Sequence, residues 1–334
     1  IFPALLHVGR PNLGDRSVFD RLMDRMWSTK QLANGGPATQ ELEATLASFL
    51  KVRHCLLVCN GTVALELAAR ALGLSGEVIV PSFTFVASVH ALKWQEIEPV
   101  FCDINPHTHT LDVDQVERLI TPRTTGILGV HLWGQPCDVE RLQATARKHN
   151  VKLMFDAAHA FGCSYNDTPI GNFGDAEVFS FHATKFFNCG EGGASATNDD
   201  ELARKLRLMR NFGFVGYDRV EHVGTNGKMC EMSAAMGLAN FSVVPTAIDR
   251  NRANHDAYRA GLASVRGLRM FELGAGLGAD ARCRFNYQYV VLMIDRAEFG
   301  LSRNQLVCLL IAENVAARRY FYPGAHRMEP YRTL

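Results

Sequence analysis

Between residues 53 and 200, short apolar runs rich in β-branched and aromatic residues alternate with amphipathic helical stretches. That alternation dictates successive βαβ units around a mainly parallel sheet. The candidate strands are Cys55-Leu-Leu-Val, Glu77-Val-Ile-Val, Pro99-Val-Phe-Cys-Asp, Thr125-Gly-Ile-Leu-Gly-Val-His, Lys152-Leu-Met-Phe-Asp, Ala176-Glu-Val-Phe-Ser-Phe and Gly193-Ala-Ser-Ala-Thr. Helices are expected between them over Thr62 to Leu72, Asp112 to Ile120 and Asp138 to His149, the last with Asp138 placed to cap its N-terminus. After Asn226 the pattern turns to long helical segments, a strand from Asn286 to Ile294 and a helix near Arg303 to Glu313. The expected architecture is a seven-stranded α/β domain over residues 1–240 and a smaller α+β domain over 241–334.

Composition narrows the function. Among 334 residues, 35 Lys plus Arg nearly balance 34 Asp plus Glu, leaving +1, so no global field gathers nucleic acid or an anionic membrane. No apolar run approaches the roughly 18 residues a membrane span needs. The nine cysteines are scattered and odd in number, without a CxxC pair or a matching His/Cys pair at zinc spacing. Cys55, Cys59, Cys102 and Cys163 therefore read as reduced thiols, and no metal site is expected. No signal peptide is visible, so the cytoplasm is expected, while Ile1 and Leu334 read as the limits of a core whose natural ends lie outside it. The segment Gly274-Ala-Gly-Leu-Gly-Ala superficially resembles a dinucleotide fingerprint, but no strand precedes it, so it reads as a flexible surface loop.

Chemistry concentrates from Phe155 to Gly193. Asp156 ends an apolar strand, at the sheet edge where open α/β folds bind ligands, although alone it reads as well as a cap for the segment that follows. Lys185 follows the next apolar strand and is flanked by aromatics, so burial lowers its amine pKa unless it is simply a solvated surface lysine. Together they suit an aldehyde cofactor, the lysine forming a Schiff base and the carboxylate pairing a pyridinium nitrogen. Asn60-Gly-Thr-Val-Ala-Leu sits where a strand turns into a helix, so Gly61 permits close backbone approach and Thr62 with the helix amides can hold a phosphate; a plain capped turn is the alternative. In Pro81-Ser-Phe-Thr-Phe-Val-Ala-Ser, Phe85 can stack on a pyridine ring or belong to the core.

These motifs occur together and in order with Asn34-Gly-Gly-Pro, Asp156-Ala-Ala-His-Ala, Ser180-Phe-His-Ala-Thr-Lys, Gly190-Glu-Gly-Gly and Gly224-Thr-Asn-Gly-Lys-Met. In this the chain resembles, over nearly its whole length, the DegT/StrS-type sugar-nucleotide aminotransferases, pyridoxal-phosphate (PLP) enzymes of the aspartate-aminotransferase-like (type I) fold. Leu6-His-Val-Gly-Arg-Pro-Asn, Gly129-Val-His-Leu-Trp-Gly and the stretch Tyr320 to Arg332 look most like enzymes that aminate dTDP-4-keto-6-deoxyglucose at the 4-position.

The resemblance implies L-glutamate as amino donor, Lys185 as the cofactor lysine and Asp156 as the pyridinium partner. It implies His159 on the cofactor's phenolic side, and Gly61, Thr62 and Ser180 on its phosphate. Asn226 would reach the phosphate of the neighbouring subunit, making a homodimer with shared sites. His182 is open between cofactor contact and packing. Trp133, Tyr322 and His326 are candidates for the sugar pocket, set against a core role for Trp133 and a solvated loop for His326. Asn60 replaces the commoner Ser, a change expected to leave the cradle intact. Amination of a 3-keto sugar, or a non-catalytic PLP- or sugar-sensing homologue, are the alternatives. A dehydratase relative carries histidine where this chain has Lys185.

Overall fold

The computed structural model describes residues 2–7, 9–278 and 280–334; Val8 and Ala279, which fall within two of the stretches above, lie outside the described residues, as does Ile1. All seven expected strands form and join one sheet. They are β1 (His54–Val58), β2 (Glu77–Pro81), β3 (Glu98–Cys102), β4 (Thr124–Val130), β5 (Lys152–Asp156), β6 (Ala176–Ser180) and β7 (Gly193–Thr197), in the order β1-β7-β6-β5-β4-β2-β3. Every pairing from β3 across to β6 is parallel, and β7 runs antiparallel to both β6 and β1. β1 therefore points the same way as the parallel strands, and six strand ends open on one edge.

The period of two in the strands builds a three-layer core. Leu57, Ile79, Ile127, Leu153 and Phe179 face one layer with α2 (Pro37–Leu50) and α6 (Val139–His149). Their neighbours Leu56, Val78, Val80, Leu128, Met154 and Val178 face the other, with α3 (Gly61–Ala71), α4 (Val86–Lys93) and α7 (Asp200–Met209). The expected caps form: Asp112 accepts the Asp114 N–H at 3.0 Å ahead of α5 (Val113–Leu119), and Asp138 accepts the Arg141 N–H at 3.2 Å. One cap comes from far along the chain. Helix α2 starts after Gly36, which has no side chain to cap with, and Glu231 at the start of α8 (Glu231–Phe241) accepts the N–H groups of Ala38 (2.8 Å) and Thr39 (3.0 Å) instead. A Cβ on Gly36 would meet the Glu231 carboxyl carbon at 2.6 Å, so the glycine is required by that carboxylate.

The C-terminal part holds α9 (Val244–Leu262), a two-stranded ribbon of β8 (Leu268–Met270) and β9 (Leu292–Ile294), and helices α10 (Arg296–Phe299) and α11 (Arg303–Ala312). The strand expected from Asn286 is shorter, beginning at Leu292. Asn286 instead buries its side chain and donates to the carbonyls of His159 (2.8 Å) and Phe161 (3.0 Å), and Tyr287 takes a left-handed φ of 52° that no strand accommodates. The Gly274 loop is also more constrained than expected. Buried Gln135 accepts the Gly274 N–H at 2.7 Å and donates to the Ala275 carbonyl at 3.1 Å. All nine cysteines are free, with Cys55, Cys102 and Cys163 buried and Cys59 half-buried. Among the described residues no helix is long and apolar enough to cross a membrane.

Candidate active site

The sheet edge gathers the ends of β1, β2, β4, β5 and β6, and most residues singled out in the sequence lie at or just after one of them, Asn226, Tyr322 and His326 excepted. At the end of β1, Asn60 caps α3 by accepting the Val63 N–H at 2.9 Å, which leaves the amides of Gly61 and Thr62 in the first turn without acceptors inside the helix. A Cβ on Gly61 would lie 3.0 Å from the Ser180 Cβ at the end of β6. Gly193 is tighter still, its virtual Cβ falling 2.5 Å from the Asn60 carbonyl carbon. Two glycines thus let a helix N-terminus, a serine hydroxyl and a strand start converge, which is the donor set a phosphate requires.

Asp156, at the end of β5, is 6% exposed. Its Oδ1 accepts the Ala158 N–H at 3.0 Å and its Oδ2 accepts the Ser88 hydroxyl at 2.8 Å. No helix follows for it to cap. Lys185 lies in the loop beyond β6, anchored where its N–H donates to the His182 carbonyl at 2.8 Å. Its Nζ is 3.5 Å from the Tyr289 hydroxyl. Burial pulls the amine down to about 8, with Asp156 opposing the shift. The lowered pKa leaves more of this lysine as the free nucleophilic amine at neutral pH than an ordinary lysine offers.

His159 completes the inner site. Its Nδ1 accepts the Trp133 N–H at 3.3 Å, which puts the proton of the neutral ring on Nε2. Burial, then the neighbouring Lys185, holds its pKa well below the usual histidine range, so the ring is neutral. Trp133 stacks at 5.8 Å behind it and is itself 1% exposed, packed against Phe321 and with its indole N–H donated to His109 at 3.2 Å. The expected substrate contact through Trp133 meets a buried ring with its donor spent; the residue forms the wall behind His159.

Phe85, at the N-cap of α4, is 60% exposed, which leaves its face available for stacking. His182 is exposed, with its Nδ1 2.8 Å from the Thr184 hydroxyl and its Nε2 3.6 Å from Glu191. Tyr322 is 52% exposed, with the guanidinium groups of Arg303 and Arg319 4.4 and 4.9 Å from its ring centre. His326 reaches the rim through the adjacent Ala325 N–H, which donates to the Ser82 carbonyl at 3.0 Å, and its buried Nδ1 has no hydrogen-bond partner among the described residues. Asn226 is exposed, its side-chain oxygen 2.6 Å from Lys228 Nζ, while the next carbonyl, of Gly227, accepts the Cys59 N–H at 2.8 Å.

Three contributors escaped the sequence reading. Tyr289 fell inside the expected Asn286 strand, and Thr84 and Ser88 lay in the Pro81 to Ser88 stretch from which only Phe85 was taken. Hydroxyls four residues apart at a helix start were the available signal.

A half-buried lysine of lowered pKa, a buried carboxylate and a phosphate-shaped cradle on one sheet edge define a site built for carbonyl and amine chemistry. The chain belongs to the DegT/DnrJ/EryC1/StrS aminotransferase family, whose profile matches residues 16–334. It is an aminotransferase of the type I fold. A dTDP-4-amino-4,6-dideoxy-D-glucose transaminase of Shigella dysenteriae is 39% identical over 327 residues, spanning 98% of this chain and 87% of that protein. A GDP-perosamine synthase of Vibrio cholerae is 33% identical, spanning 99% and 88%. Among solved structures, DesI in the presence of its TDP-sugar product superposes with a TM-score of 0.94 at 47% identity, covering 100% of this chain and 83% of that one.

Proposed function

We propose that this aminotransferase uses PLP to move the amino group of L-glutamate onto the keto carbon of dTDP-4-keto-6-deoxyglucose, giving dTDP-4-amino-4,6-dideoxyglucose and 2-oxoglutarate. The observation that carries the reading is Lys185: a half-buried lysine with its amine pKa pulled down by desolvation, in the loop that follows the strand next to the one that bears Asp156. The sugar and the nucleotide follow from the Shigella transaminase and from the TDP-sugar in the DesI structure.

The residues fit the cofactor. The uncapped amides of Gly61 and Thr62 with the Ser180 hydroxyl would hold its phosphate, Phe85 would cover one ring face, and His159 would lie toward its phenolic oxygen. When bound, PLP supplies an aldehyde for amines and a protonated ring that draws electrons from the reacting carbon. Asp156 holds the proton on the ring nitrogen, a task for an ionised carboxylate and not for an amide. Lys185 would hold the cofactor's aldehyde and, as a neutral amine, would move the proton between substrate and cofactor, off the donor's α-carbon in one half of the reaction and onto the sugar's keto carbon in the other. His159, neutral and braced by Trp133, adds no positive charge that would raise the cost of a protonated Lys185.

In this reading the large domain, 1–240, binds cofactor, and 241–334 encloses the site through Tyr289 and Tyr320. Two chains share each site, with Asn226 reaching the partner's phosphate. His326, on the rim, meets the sugar nucleotide, and Tyr322 contributes only if the substrate extends toward Arg303. Free cysteines throughout suit a reducing compartment, so we assign the cytoplasm.

The test separates an enzyme from a sensor that kept the fold. Glutamate added to the PLP-loaded protein should convert the cofactor to its amine form and release one 2-oxoglutarate per site. A protein that binds PLP yet leaves it unchanged under saturating glutamate is not the proposed transaminase.

A further inference from the structure

The carboxylate of Asp156 is held from outside its own strand. An ionised carboxylate only accepts, so the Ser88 hydroxyl, 2.8 Å from Oδ2, spends its single proton there. Ser88 Oγ also lies 3.0 Å from Thr84 Oγ1. With the Ser88 proton committed, that second bond runs from Thr84 to Ser88. The direction of the whole chain is fixed: Thr84 donates to Ser88, and Ser88 donates to Asp156. Thr84 is 1% exposed and Ser88 is fully buried, so neither hydroxyl exchanges this role with water.

Helical geometry argues against simple packing. A serine inside a helix commonly points to solvent or bonds the carbonyl four residues back. Ser88, in the first turn of α4, instead reaches across to the end of β5, 68 residues along the chain. The terminal torsion of an aspartate is broad and roughly two-fold, so one anchored oxygen leaves the carboxylate plane loose. The Ala158 N–H fixes Oδ1 and Ser88 fixes Oδ2, which together set the plane and leave a lone pair on each oxygen for a ligand.

We propose that Thr84 and Ser88 form a one-way hydroxyl relay that sets the Asp156 carboxylate, making Ser88 a positioning residue for the transamination. The inference rests on the assignment of Asp156 to the cofactor's ring nitrogen. A buried relay of this kind also polarises along its length, so the terminal bond to Asp156 depends on Thr84 as well.

The test compares Ser88→Ala, Ser88→Thr, Thr84→Val and the double variant as PLP-loaded proteins, with PLP affinity measured separately by titrating the cofactor-depleted chains. Ser88→Ala should lower kcat about 10-fold and weaken PLP binding several-fold, as loss of a hydrogen bond to a charged group does, with the KM for the sugar nucleotide unchanged. Ser88→Thr, which keeps the hydroxyl, should restore both. Thr84→Val should cause a smaller loss of the same kind in the parent protein and none on the Ser88→Ala background, where its proton has no relay to enter. Wild-type kcat and PLP affinity in Ser88→Ala, or a Thr84→Val loss that persists in full on that background, overturns the relay. Should Ser88→Ala fail to fold, a wild-type Thr84→Val overturns it alone. Asp156→Asn made in parallel separates the two claims: if it is inactive while Ser88→Ala is normal, only the relay is wrong, and if it is itself normal, the assignment of Asp156 has failed first.

Discussion

The Tyr289 ring rests on His159, with ring centres 4.4 Å apart, while its hydroxyl lies 3.5 Å from the Nζ of Lys185. One side chain from the C-terminal part thus touches both the amine and the imidazole of the inner site. Burial raises its phenol pKa, so it stays a neutral hydroxyl at every working pH.

Tyr289→Phe isolates the hydroxyl, since the ring keeps its packing. Turnover should fall about 3- to 30-fold, the range of one hydrogen bond at long distance, with the thermal midpoint unchanged. Tyr289→Ala should in addition destabilise the fold by about 2 kcal/mol, less than deleting a fully buried aromatic because the ring is half-buried. Parent turnover in Tyr289→Phe would deny the hydroxyl a role, and an unchanged thermal midpoint in Tyr289→Ala would deny the ring its packing.

The buried amine carries a stability cost that depends on pH. Lys185 has its folded pKa lowered from 10.5 to about 8, so the folded chain binds fewer protons than the unfolded one between those values. Stability therefore rises with pH across that window, and below pH 8 the penalty is present in full. Lys185→Met, without cofactor, should stabilise the chain by about 3 kcal/mol at pH 7, and the gain should vanish toward pH 10.5. Urea unfolding at the two pH values checks this; a pH-independent difference would mean the amine is not desolvated.

Asp156→Asn should keep PLP covalently held by Lys185, trapped by borohydride, yet lower turnover on the order of 100-fold or more, because an amide cannot hold the ring proton by charge. Turnover within a few-fold of the parent removes Asp156 from that task.

Asn226 tests assembly. A Lys185→Ala chain and an Asn226→Ala chain, mixed in equal amounts, should place both lesions in one composite site of each heterodimer and leave the other intact, giving about a quarter of wild-type activity. If Asn226 serves its own chain, as its neighbour Gly227 against Cys59 would allow, mixing restores nothing.

Periodicity made the sheet legible, because strands buried on both faces announce themselves as apolar runs and their ends locate the ligand edge. Gly61, Asp156 and Lys185 stood out because each sits at the end of such a run or a few residues past it, whereas Ser180 came only with the family resemblance. Ser88, Tyr289 and Glu231 could not, since each acts on a group 68, 104 and 193 residues away, and nothing local in the sequence encodes such a pairing. The shortened strand before Leu292 has the same cause: Asn286 looks like any strand residue until His159 and Phe161 present their carbonyls to it. Trp133 was ambiguous for another reason, because a large aromatic after a strand serves wall or pocket, and only its burial decides.

The most direct measurement follows the nitrogen. Incubation with ¹⁵N-labelled L-glutamate and dTDP-4-keto-6-deoxyglucose should yield a sugar nucleotide with ¹⁵N bonded to C4 by NMR, one 2-oxoglutarate per amino sugar, and no product from the Lys185→Ala chain. Label at C3, no labelled sugar, or a labelled product from Lys185→Ala would contradict the account.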